Sequence, residues 1–362
     1  FTGGTEEIII ESLRDIPLPI FLLGNSKRNS FAAGCEALPK LRSMGKKTKL
    51  ISREDPGGKQ AREIKEFVKV RKTTQKLRRM RLGLIGNKSP WLVSGSEDFQ
   101  LIEKKIGPQI IQLDMTSLLD EIEKVPAPEA RKLSQEILLY ASEAVEPEKD
   151  DIIKASRIYL GLKNLIEKNN LDAVTVGCFE IIPPLNNTGC IALSKLIDEG
   201  IIAGCEGDLD ATLTMIIMNL LSGRPAWIAN TVSADTSNDV LTFAHCTIST
   251  EMLDGDPILR SHFESGKGVA IQGKLKEGKK VTIARLGSSD LNEMLISTGI
   301  IEKSDLGRED MCRTQVKIKL DGTAEKFMEK SLGNHVSILK RDISSKLREF
   351  SKALGINATY IG

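Results

Sequence analysis

Residues 19–23 (PIFLL), 82–85 (LGLI), 172–178 (DAVTVGC) and 200–204 (GIIAG) are short apolar runs bounded by glycine, cysteine or acidic residues. Runs this short and uniformly apolar fit strands buried on both faces. Amphipathic segments between them, such as residues 30–41, read as helices, so the chain predicts parallel sheets with helices on both sides. Ligands in such sheets collect beyond the carboxyl ends of the strands. The loops 24–30, 86–90, 179–184 and 205–210 are therefore the places to look for chemistry. The loop at 86–90 (GNKSP) is expected to lead into a helix near Trp91.

A chain of 362 residues is long enough for two or three domains. Residues 59–81 hold ten Lys or Arg against two acids and almost no aromatic residue, which suits a solvated helix and linker better than a base-stacking surface. After residue 225 the texture changes. Residues 227–232, 240–246, 268–275 and 280–285 read as strands separated by turn formers, an antiparallel and barrel-like arrangement, and residues 341–353 as a helix stopped by Gly355. This gives an amino-terminal part at 1–78, a middle part at 79–224 and a carboxyl-terminal part at 225–362. Residues 3–7 (GGTEE) read as a loop following a strand that lies outside the sequence.

The 51 basic and 49 acidic residues nearly balance, which gives no general attraction to nucleic acid or an anionic membrane. The six cysteines lack CxxC spacing and sit among apolar neighbours, as buried free thiols of a cytoplasmic protein would. No run reaches transmembrane length and no signal peptide is visible.

Histidine is scarce: only His245, His262 and His335 occur. HExxH, GxSxG, Walker and GxGxxG patterns are all missing, which removes most nucleotide and serine-hydrolase chemistry. Acids at strand ends remain. Residues 205–210 (CEGDLD) carry Glu206, Asp208 and Asp210. A strand reading projects Glu206 and Asp208 to one side, whereas a helix starting there makes one of the acids an N-cap. Glu180 follows an apolar strand and precedes Ile181-Ile182-Pro183-Pro184, where a charge must be exposed, paired or bound to a cation. Glu180, Glu206 or Asp208, and a histidine would form a mixed oxygen and nitrogen site suited to Mn²⁺, Co²⁺ or Mg²⁺. Such a site can bind vicinal substrate oxygens while a carboxylate moves a proton between them.

At these residues the sequence resembles the L-fucose and L-arabinose isomerases. The segment CEGDLDATLTMIIMNLLSGRP is similar to the acidic motif and helix that close their middle domain. Phe179-Glu180 lies where the family places its other essential glutamate. LTFAHCT resembles the family's histidine-bearing strand, and LGNHVSILKRDISSKLREFSKALGINATYIG its last metal histidine, helix and strand. GGTEE, GNSKRNS and GNKSPW also look like family features.

The resemblance implies an α/β fold with two Rossmann-like parallel-sheet domains followed by a partly open antiparallel β-barrel. It implies metal-dependent aldose–ketose isomerisation through a cis-enediol, with manganese the usual ion and no organic cofactor. Carried over by position, Glu180, Glu206 and Asp208 are the catalytic and ligating acids and His335 the nitrogen ligand. His245, Asn25, Trp91 and Asn334 fall among substrate contacts. The arabinose branch has a further metal histidine at about Ser222-Gly223, and its absence here points toward the fucose pattern. The family's enzymes are homo-oligomers, trimers or hexamers, acting on small sugars without nucleic acid or membrane. A sugar-binding or regulatory homologue and a metal-dependent epimerase or aldolase are the alternatives.

Overall fold

A computed structural model describes residues 1–54 and 58–362, with residues 59–63 described through their backbone alone. The chain divides into two compact units, residues 1–69 and 70–362, with the division falling inside the helix Lys59–Leu77. In the first unit β1 (Ile20–Gly24) and β2 (Thr48–Ser52) pair in parallel. The helix Ser30–Ser43 between them buries Ala33, Ala37 and Leu41, four residues apart, against Ile20 and Leu22. The helix Glu6–Leu13 adds Ile9 to this core, so residues 6–7 of the expected loop are helical.

The second unit begins with β3 (Arg81–Ile85), β4 (Gln109–Leu113), the two-residue β5 (Glu143–Ala144), β6 (Ala173–Val176) and β7 (Ile202–Cys205). Four of these form an all-parallel sheet in the order β4–β3–β6–β7. β6 and β7 are buried along their whole length, which explains their uninterrupted apolar sequence. The helix expected near Trp91 is not formed. Residues 89–95 are turns, pinned where Ser89 N–H donates to the Glu206 carbonyl (2.9 Å), and the next helix, Phe99–Lys105, starts where Asp98 accepts from Leu101 N–H.

The strands that follow are β8 (Trp227–Asp235), β9 (Val240–His245), β10 (Ile258–Arg260), β11 (Ala270–Gln272), β12 (Lys280–Gly287), β13 (Glu293–Ser304), β14 (Thr314–Leu320), β15 (His335–Leu339) and β16 (Asn357–Ile361). Six of them pair antiparallel around a complete circuit, β12–β15–β8–β9–β14–β13, and β13 returns to β12 over eight residue pairs. The barrel is therefore closed and not partly open as expected, because the long β13 reaches both β14 and β12 and leaves neither edge bare. β16 lies parallel to β13 outside this ring. The strand expected at 268–275 is short and belongs elsewhere: β11 pairs with β10, which also pairs in parallel with β5.

The helix Leu209–Ser222 joins the sheet to the barrel. Its residues Leu209 through Met218 are all buried, the polar Asp210, Thr212 and Thr214 among them. It packs on β7 behind it and on β12 and β15 ahead. A single apolar core consequently runs from the parallel sheet through this helix into the barrel.

An ion cluster fastens the β5–β10 corner, where Arg260 Nε donates to both oxygens of Glu146 (2.8 and 2.9 Å). The Arg260 bond, opposed by burial and helped by Ser261 N–H, lowers the Glu146 carboxyl to about 2. A carboxylate depressed in the folded state stabilises above its unfolded value and loses that contribution as pH falls toward the folded one. We expect Glu146→Gln to lower the melting temperature slightly at pH 6, and the difference from the parent to vanish between about pH 4 and 2. Melting curves across that range check this.

Candidate metal centre

Glu206 is the first residue past β7, and its backbone is left-handed (φ 62°), followed by Gly207 in the same region (φ 66°). This conformation costs a non-glycine residue about 1–3 kcal/mol. It is held because Gly207 N–H donates to the Val176 carbonyl and Glu206 C=O accepts from Ser89. A side chain at 207 would come within 2.7 Å of Lys88 Cα, so only glycine lets the loop at 86–90 lie this close. The result aims a buried carboxylate at the mouth of the barrel.

Two imidazoles meet it there. His245 ends β9 and His335 begins β15, the two strands flanking β8, and their rings lie 5.5 Å apart. Glu206 Oε1 is 3.4 Å from His335 Nε2 and 4.0 Å from His245 Nε2. Glu206, His245 and His335 each offer one ligand atom, all within 4.8 Å of one another, a triad able to hold a divalent cation.

The protonation states follow from the surroundings. Asp208 is buried, yet the charge of Arg285 and the His335 bond hold its carboxyl well below the usual range. Being ionised it can only accept, so His335 Nδ1 (3.0 Å from Asp208 Oδ2) carries a proton. Burial works against a charged His335, but its bond to Asp208 and the facing Glu206 carboxylate prevail and raise it to about 9. Its Nε2 is buried and has no hydrogen-bond partner. Burial and the positive charge of His335 lower His245 to about 4, and its Nδ1 sits 3.0 Å from Thr247 Oγ1. Glu206 is kept ionised against burial by His335, His245 and the indole of Trp91, whose Nε1–H donates to Oε2 at 2.6 Å. His245 offers a neutral imidazole, Glu206 a carboxylate, and His335 a buried Nε2 that would exchange its proton for a cation, while the Asp208 bond keeps Nδ1 protonated and so fixes the ligand tautomer.

The three acids of CEGDLD thus do three different jobs. Glu206 faces the triad. Asp208 caps the helix Leu209–Ser222 through Ala211 N–H (2.9 Å) while holding His335 and Arg285. Asp210 is buried and accepts from Ser96 N–H at 3.2 Å, anchoring the loop that carries Trp91. Burial chiefly raises Asp210, to about 6.

Of the other residues expected at the site, Trp91 and Asn334 line a cavity of about 440 Å³ with Glu206, Asn230, Phe263 and Glu264. Asn334 Nδ2 donates to Asn230 Oδ1 (3.0 Å). Glu180 stands on the turn after β6, outside the triad, with Oε1 accepting from Asn87 N–H at 2.6 Å. Its neighbour Phe179 packs edge-on against Trp91 (4.8 Å). Asn25 lies in the first unit, where its Oδ1 accepts from Lys27 N–H.

His245, expected to contact substrate or to orient a ligand, lies together with Glu206 and His335. Ser222 ends the helix that Asp208 opens, about 21 Å away along its axis. Arg285 escaped notice in the sequence. Its signal was present: an arginine amid the apolar strand VTIARLG must have a buried anion for partner. It supplies Asp208 (2.9 Å) and the carbonyls of His335 (2.9 Å) and Leu332 (3.1 Å).

A parallel α/β layer and a closed barrel meeting at a carboxylate–imidazole triad define a mixed α/β protein with a candidate metal centre. Residues 100–223 match the family description "L-arabinose isomerase central domain". The chain is 23% identical to a sulfoquinovose isomerase of Alkalicoccus urumqiensis over 306 residues, which are 80% of this chain and 66% of that one. It is 20% identical to a sulfoquinovose isomerase of Priestia aryabhattai over 303 residues, again 80% and 66%. The chain spans just under two thirds of the length of these relatives. These matches support a relationship to the arabinose/fucose isomerase-like family without singling out its fucose branch.

Removing Arg285 strands a buried carboxylate. We expect Arg285→Met to cost about 3–5 kcal/mol, and Arg285→Met combined with Asp208→Asn to cost less than the sum of the two. Urea unfolding of the four proteins measures the coupling.

Proposed function

We propose that this chain is a metal-dependent aldose–ketose isomerase acting on a free sugar. The single observation that carries the reading is His335, tied to ionised Asp208 through Nδ1 and facing Glu206 at 3.4 Å with a buried Nε2 that makes no hydrogen bond and would exchange its proton for a cation. The relatives named sulfoquinovose isomerase and the arabinose isomerase central-domain match support the reaction class. Glu206, His245 and His335 would hold the cation, with Mn²⁺ the first candidate. When bound, a divalent ion polarises the sugar carbonyl and stabilises the charge that develops on its oxygen.

The chain's own groups do the rest. Glu180 is proposed to take the C2 proton and return it to C1, through an enediol of the substrate. Space for its carboxylate is kept by two glycines: a Cβ at Gly86 or Gly177 would lie 3.0 or 2.9 Å from Glu180 Oε1. Trp91 orients Glu206 through the indole bond and offers an apolar face to sugar C–H groups, and the Asn230–Asn334 pair offers amide groups to hydroxyls. The 440 Å³ cavity has the volume of a small-ligand site.

Binding and proton transfer separate by experiment. We expect Mn²⁺ titration by calorimetry to show one site per chain. Glu206→Gln and His335→Gln should abolish it, and Asp208→Asn should weaken it by roughly 10–100-fold. Glu180→Gln should retain the metal while stopping both ketose formation and exchange of the C2 hydrogen with solvent deuterium. Metal binding indifferent to Glu206 and His335, or ketose formation from no aldose of a C4–C6 panel, overturns the reading.

A further inference from the structure

The cavity over the triad has walls of uneven charge. Glu206, Glu264 and Asp310 line it together with Trp91, Phe263 and the Asn230–Asn334 pair, and among the described residues no lysine or arginine contributes to the lining. Asp310 is already neutralised by Arg308, whose Nε donates to Oδ1 at 2.9 Å. Glu206 belongs to the triad. Glu264 is left over: among the described residues it has neither an ion pair nor a hydrogen-bond partner, and it is an exposed residue of the lining next to the aromatic Phe263. Partial burial raises its carboxyl, and the charge of Glu206 adds to the rise against the opposing His262.

A carboxylate with free lone pairs next to aromatic faces and amides is suited to accept hydrogen bonds from the hydroxyls of a polyol. Toward an anionic substituent the same carboxylate is repulsive, and like-charge juxtaposition is an effective means of exclusion. We infer that Glu264 is a specificity-determining residue of this cavity, selecting uncharged sugars and rejecting sugars that carry a sulfonate. The inference rests on the isomerase reading of the same site, and it separates this chain from the activity named for the relatives.

The test is a matched pair of ligands, sulfoquinovose and quinovose, which differ by the sulfonate alone. Emission from Trp91 reports occupancy, because Trp91 is half exposed at the cavity while Trp227, the only other tryptophan, is fully buried. With the Mn²⁺-loaded protein we expect quinovose to bind at least about tenfold more tightly than sulfoquinovose. Glu264→Gln should bring the ratio near one, and Glu264→Lys should invert it. Equal or tighter binding of sulfoquinovose by the parent protein overturns the inference. So does a ratio unchanged in both variants, or the absence of any response to either sugar. The expected ratio without ketose formation from any aldose would defeat the isomerase reading and leave the selectivity standing. Conversion of sulfoquinovose in preference to quinovose would do the reverse.

Discussion

The buried ion pair between Asp208 and Arg285 is the interaction on which the site depends. Asp208 starts the helix Leu209–Ser222 from the end of the parallel sheet, and Arg285 stands inside a barrel strand, so their contact fixes one architecture against the other. Desolvating both charges is expensive. The cost is offset because each partner is fully used: the carboxylate also caps the helix and holds His335, and the guanidinium also binds the carbonyls of Leu332 and His335. His335 is thereby clamped at its ring and at its backbone by the same pair.

This arrangement divides the labour between two histidines of the same type. Both are buried, and burial alone would discharge both. His335 keeps its proton because two carboxylates face it. His245 has only a threonine hydroxyl at Nδ1 and a more distant carboxylate, and it stays neutral. The electrostatic difference between the two rings comes from their second neighbours and not from their depth.

Much of this was legible in the sequence where one element determines the answer. The runs 82–85, 172–178 and 200–204 are short and apolar enough to be buried parallel strands, and the acids after the last two could be placed at carboxyl ends. The choice between Glu206 and Asp208 was not legible, because it turns on a left-handed backbone at Glu206 that is stabilised by a loop more than a hundred residues earlier. Barrel closure was equally hidden, since it depends on β13 pairing on both edges, and the sequence reading had no strand at 293–304 at all. The place of His245 follows from β9 and β15 lying on either side of β8, a fact of registry that no local pattern encodes. At Trp91 local preference for a helix lost to tertiary anchoring of Ser89 and Ser96 by Glu206 and Asp210.

The all-round burial of residues 209–218 in the helix Leu209–Ser222 has a mechanical consequence. A helix that is apolar on one face can slide or tilt between layers, but one enclosed on every side acts as a rivet. The sheet end that carries Glu206 and the barrel mouth that carries His245 and His335 cannot shear past one another without exposing that helix to water. The triad is therefore built on a stiff frame, and whatever adaptation a substrate demands falls to the thin margin of turns around Trp91 and Glu264.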